Sequence, residues 1–160
     1  MRVPSINGNT ESGADYENNP SLDMWRRTQN FFHSVVAHQV LSPDVFLRCQ
    51  VNRKLRHRLA LEQNEWFATF WQQTSISPEL AAFVYAYIPR YSGLNVARLK
   101  PGDRLEADLC WTQVCWFDWE MDLYDDFMTR FGKDISEEFD FGKVGTLDDL
   151  MHSLEWYLAV

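Results

Sequence analysis

The run Leu80-Ala81-Ala82-Phe83-Val84-Tyr85-Ala86-Tyr87-Ile88 is apolar around most of a helix, so it belongs at the centre of a core. Ser77-Pro78-Glu79 in front of it is a helix start, with Ser as cap and Pro at the first position. Pro89 interrupts that helix, marks its end or kinks it, and Tyr91-Ser92-Gly93-Leu94 exits through a glycine cap. The other apolar segments must pack around it, and they too repeat at helical spacing.

Asn64 is the expected cap of a short helix through Trp71, with Trp66, Phe67, Phe70 and Trp71 on one side. Thr146, with Asp149 three residues on, resembles a capping box. The helix after it turns Leu147, Leu150, Met151, Leu154, Tyr157 and Leu158 inward. Ser42-Pro43-Asp44 opens another helix with Ser42 as its cap, and Ser21 opens one before that. No alternating strand pattern, internal repeat or heptad run interrupts this. The class is all-α, and 160 residues make one domain with an arm. Its parts are a polar tail (1–20), a basic helical arm (21–60) and a helical domain (61–160).

Charge is unevenly spread within the net −8. Residues 1–60 hold eight Lys/Arg and five Asp/Glu, whereas residues 103–160 hold four and fifteen. That acidic field disfavours nucleic acid and favours a cationic partner, beginning with the chain's own basic cluster of Arg48, Arg53, Lys54, Arg56 and Arg58. The cluster reads first as a solvated face or one paired with the acidic end, and second as an anion, nucleic-acid or membrane-surface patch. No uncharged apolar run approaches the ~18 residues of a membrane-spanning helix. The first residues lack the apolar core of a signal peptide, so a cytoplasmic protein is expected.

Chemistry-bearing residues are sparse. Cys49, Cys110 and Cys115 are an odd set with no C-x-x-C spacing; Cys110 and Cys115 could meet, but the three read first as reduced core thiols. Cys115 with His152 as base is a nucleophile pair only if the fold joins them. His33 and His38, five apart, are poorly spaced for one metal. The expectation is no catalytic residue, no metal and no cofactor.

The richest stretch runs from Asp103 to Phe131. Asp103-Arg104-Leu105-Glu106-Ala107-Asp108-Leu109 leads through an aromatic run into an acidic helix, and Phe131-Gly132-Lys133-Asp134-Ile135 follows. On that helix Asp118, Asp122, Asp125 and Asp126 share one face, with Trp119, Leu123, Phe127 and Phe131 on another.

From Ser77 to Leu158, about half the chain, this layout resembles the acyl carrier proteins. It is especially similar to an uncharacterised bacterial family of carrier-like domains with Asp-Arg-Leu-x-x-Asp-Leu before an acidic helix and a Phe-Gly-x-Asp-Ile turn. The resemblance implies an acyl-carrier-like four-helix bundle with an N-terminal helical extension. It also implies an acidic helix that offers carboxylates to basic surfaces of partner proteins. A carrier attaches phosphopantetheine to a serine at the start of that helix. The family's spacing puts Phe117 or Gln113 there, and no Ser lies between Gly102 and Ser136. Thr112 is the one nearby hydroxyl.

The leading expectation is a non-catalytic module that binds a basic protein surface through Asp118, Glu120, Asp122, Asp125, Asp126, Trp116 and Trp119. An intramolecular contact of that face with Arg53, Lys54, Arg56 and Arg58 is the other way to supply the basic surface. The alternatives are a carrier or accessory of fatty-acid or polyketide-type synthesis using Thr112, and a carboxylate metal-binding protein. Whether Trp111, Trp116 and Phe117 are buried decides how much of the aromatic run is surface.

Overall fold

Six α-helices arise between residues 42 and 159, the span described by the computed structural model. The polar tail, the Ser21 helix and the histidines His33 and His38 lie outside the described residues. The helices are α1 (Val45–Leu55), α2 (Gln63–Phe70), α3 (Pro78–Ser92), α4 (Trp111–Val114), α5 (Trp119–Phe131) and α6 (Leu147–Ala159). Two 3₁₀ turns, Val96–Arg98 and Phe141–Lys143, join them. Among the described residues there is no strand, only one isolated bridge between Arg104 and Thr146. The class is all-α, as the periodicity predicts.

α3 is the central element. Its residues Leu80, Ala81, Phe83, Val84, Ile88 and Tyr91 are all buried, and it packs against α2, α5 and α6. Its start follows the sequence, since Ser77 Oγ accepts from Leu80 N at 3.3 Å. α6 contributes to the same end, where Glu155 Oε2 accepts from Ser77 N (2.8 Å) and Ser77 Oγ (2.9 Å). A carboxylate at that position also opposes the positive end of the helix dipole.

Pro89 does not end α3. The helix continues through it to Ser92 and closes at Gly93, whose φ of +67° is the left-handed cap conformation. A proline this close to the C-terminus removes one hydrogen bond, and the packing of Tyr91 and Ser92 outweighs that loss. Arg48 lies close over Gly93 and would have to shift for any larger residue. A Cβ there would lie 2.5 Å from Arg48 Cδ.

That contact belongs to α1, which packs on the rest of the described fold. Val51 and Leu55 are buried in the common core, with Leu47 half-buried beside them. Arg48 Nη2 donates to Val114 O at 2.6 Å, and Asn52 Nδ2 donates to Gly93 O at 2.9 Å. Residues 42–60 therefore share a core with residues 61–159. The α1 cap is Asp44, which accepts from Leu47 N, and not Ser42. α2 likewise starts at Gln63 with Glu62 at its cap, earlier in the chain than the expected cap Asn64. The Thr146 start forms as expected, with Asp149 N donating to Thr146 Oγ1 and Thr146 N donating to Asp149 Oδ2.

Candidate functional site

The polar residues of the Asp103–Leu109 motif pair with one another or with the segments around them. Asp103 is buried and accepts from Arg58 Nη1 at 2.6 Å and Lys100 N at 2.8 Å. Arg104 donates through Nε and Nη2 to both carboxylate oxygens of Asp108, at 3.0 and 2.8 Å. This fork holds the Asp108 carboxyl down at about 2. Leu105 and Leu109 are buried. Glu106 accepts from Thr112 N and Thr112 Oγ1, both at 3.0 Å. The motif thus fastens the long loop and starts α4.

That start is strained. Cys110 has φ of 53°, the only non-glycine with positive φ among the described residues. The left-handed conformation costs about 1 kcal/mol or more for a residue with a Cβ. It lets Cys110 O accept from both Gln113 N and Val114 N. Cysteine is not a residue type that marks this conformation, so nothing in the sequence announces it.

The aromatic run divides between core and surface. Trp111 and Trp119 are buried, meet edge to face at 5.5 Å, and both contact the Phe141 ring. Trp119, counted from sequence among the contact residues, is thus a core residue because its position on α5 faces inward with Leu123 and Phe127. Trp116 and Phe117 stay outside, 47% and 75% exposed.

The residues that the sequence spacing puts forward for a phosphopantetheine attachment do not fit one. Phe117 and Gln113 have no hydroxyl, and the Thr112 hydroxyl is hydrogen-bonded to a carboxylate within a four-residue helix.

The carboxylates of α5 and its cap fall into two groups. Asp118, Glu120, Asp122 and Asp125 are exposed. Asp126 turns back to α3, accepting from Tyr91 Oη at 2.8 Å and Arg90 Nη1 at 3.4 Å. Burial, with the Asp126 carboxylate next to it, pushes the Tyr91 hydroxyl far up, so Tyr91 stays a donor. Slight desolvation where the exposed Asp122 carboxyl lies against the protein surface, then the neighbouring Asp118 and Asp126 carboxylates, raises the Asp122 carboxyl. Arg90 is thus the cation beside the ladder. Arg58 reaches the acidic half of the chain at Asp103, while Arg53, Lys54 and Arg56 form no ion pair among the described residues.

Two exposed methionines extend this surface beyond the residues expected from sequence. Met121 and Met128, 68% and 48% exposed, flank Asp125 on the outer side of α5. With Tyr124, Asp134 and Ser136 they line an open groove of about 370 Å³. Asp134 accepts from Ser136 N and Oγ, which lowers its carboxyl and keeps the rim anionic. Met121 and Met128 are seven residues, about two helical turns, apart, and that spacing is the signal that puts them on one side of α5.

Cys115 and His152 are not joined. Cys115 is buried, and burial drives its thiol upward despite Arg48. His152 Nδ1 lies 3.0 Å from Asp148 O on its own helix. Ellman's reagent should therefore modify exposed Cys49 in the folded protein and reach Cys115 only on unfolding. Rapid native-state labelling of Cys115, read by peptide mass, would contradict this placement. Among the described residues no three His, Cys, Asp or Glu side chains converge as a metal site. None of their helices is long and apolar enough to cross a membrane. No family model, curated protein or solved structure matches this chain, so its site stands on its own geometry.

Proposed function

We propose that this chain is a non-catalytic, carrier-like interaction module, a four-helix acyl-carrier-like bundle with an N-terminal helical extension. It binds a basic protein surface through the outer side of α5. The observation that supports this reading is the mixture on that side. Met121 and Met128 stand exposed about two turns apart among Glu120, Asp122 and Asp125, and the exposed Trp116 and Phe117 precede the helix at its Asp118 cap. Isolated exposed apolar residues are ordinary, but two methionines that line one groove with Tyr124, Asp125 and Asp134 offer an apolar contact bordered by carboxylates. Methionine adapts its shape to a partner, and the carboxylates select for positive charge.

The test is affinity capture with the full chain and with Glu120→Lys/Asp122→Lys/Asp125→Lys. Asp126 is left intact because it holds Tyr91. A partner retained by the wild type should bind the triple variant at least about tenfold more weakly. Arg53→Glu/Lys54→Glu should retain it. An identical partner set and affinity for all three proteins rejects the reading.

A further inference from the structure

The fold brings together two stretches that contain no carboxylate. No Asp or Glu lies between Asp44 and Glu62, and none between Glu79 and Asp103. α1 comes from the first stretch, and the end of α3 with its following turn comes from the second. Where they meet there is an open cleft of about 330 Å³, with Asn52, Arg56, Asn95 and Arg98 as its polar lining and Pro89 and Leu94 as apolar lining.

Two of these polar side chains are anchored by hydrogen bonds. Asn52 donates to Gly93 O and accepts from Asn95 N, both at 2.9 Å. Arg98 Nη1 donates to the carbonyl oxygens of Arg56, at 2.9 Å, and Arg58. Those carbonyls follow the C-terminal end of α1, where the helix dipole would otherwise repel an anion. The Arg98 guanidinium offsets that repulsion and keeps its Nε and Nη2 hydrogens for another acceptor. Arg58 is committed to Asp103, and Arg56 has no ion-pair partner among the described residues.

We propose that this cleft binds a small organic phosphate, with its phosphoryl oxygens on Arg56 and Arg98 and its carbon skeleton over Pro89. Guanidinium groups pair with phosphate through parallel N–H···O bonds, and a donor already fixed in place loses little freedom on binding. The volume suits a small molecule. Nucleic acid fits less well, because no aromatic ring lines the cleft to stack a base and the chain carries a net charge of −8. This site is separate from the α5 surface and does not depend on it.

The test is a titration of the ¹⁵N-labelled full chain with phenyl phosphate, sodium sulfate and a short single-stranded RNA. The side-chain amide signals of Asn52 and Asn95 are the readout. Phenyl phosphate should shift both signals saturably, and sulfate should do so more weakly. Arg56→Gln and Asn95→Asp, both at exposed positions, should each weaken phenyl phosphate binding by about tenfold or more while leaving the remaining spectrum in place. Shifts that do not saturate, an equal response to sulfate, a response to RNA alone, or unchanged affinity in Arg56→Gln would each overturn the proposal.

Discussion

Trp66→Ala should lower the free energy of unfolding by about 4 kcal/mol, seen as a lower urea midpoint with little change in slope. Trp66 is fully buried, although α2 is short and most of its other residues face solvent. Its ring lies 5.4 Å from Trp71 and 5.7 Å from Tyr85, and its Nε1 donates to Leu99 O at 2.9 Å. Truncation would open a cavity between α2 and α3 and leave the buried Leu99 carbonyl without that donor. A domain of this size holds about 5–15 kcal/mol in total, so the loss is a large share of it. Trp66→Phe separates the two causes, since it keeps most of the ring and chiefly loses the hydrogen bond, at about 1–2 kcal/mol. If the alanine variant loses less than about 1 kcal/mol, α2 is not part of the cooperative core. If the phenylalanine variant loses as much as alanine, the hydrogen bond to Leu99 outweighs the packing of the ring.

The same residue marks how much of the fold is legible in the chain itself. The apolar spacing of Trp66, Leu80–Ile88 and Leu147–Leu158 identifies the buried faces, because periodicity and burial have one cause. Local capping chemistry is legible where one motif stands alone, as at Thr146. It is ambiguous at Ser42-Pro43-Asp44, where two good caps compete. There Asp44 N donates to Gln113 O, a long-range contact that no local rule contains. Pro89 is ambiguous for the same reason, since the packing that carries α3 past it comes from elsewhere in the chain.

The candidate surface is legible in its carboxylates and not in its limits. A helical wheel places Asp126 with Asp118, Asp122 and Asp125, but Arg90 and Tyr91 on α3 draw it inward. Trp119 departs from its expected place in the same direction. In sequence it belongs to a dense aromatic cluster, yet its register on α5 sends it to Trp111 and Phe141. What remains exposed, Trp116, Phe117, Met121 and Met128, includes two methionines whose residue type alone favours burial. Side-chain identity indicates what a position tolerates, and only the packing of α5 on α3 indicates which side it occupies.

Arg58→Ala is the second large expected effect, a loss of about 3 kcal/mol in unfolding free energy. The basic cluster of α1 and its following loop looks uniform in sequence, but Arg58 differs from Arg53, Lys54 and Arg56 in reaching a buried carboxylate. Asp103 is only 5% exposed. It links three segments, accepting from Arg58 Nη1 and Lys100 N while its backbone oxygen accepts from Leu147 N at the start of α6. Removing Arg58 leaves that carboxylate buried with one amide donor, and it also removes a donor to Arg98 O. Arg58 keeps 29% of its side chain exposed, so water and salt screen part of the pair and the expected loss sits at the low end for a buried ion pair. A double-mutant cycle with Asp103→Ala should return a coupling of about 2 kcal/mol, because each residue is the other's main partner. Arg53→Ala, at an exposed position with no ion-pair partner among the described residues, should change stability by less than about 0.5 kcal/mol. Equal effects at Arg53 and Arg58 would mean that the whole cluster is a solvated face, and that the loop from Lys100 to Asp103 is held by its hydrophobic neighbours alone.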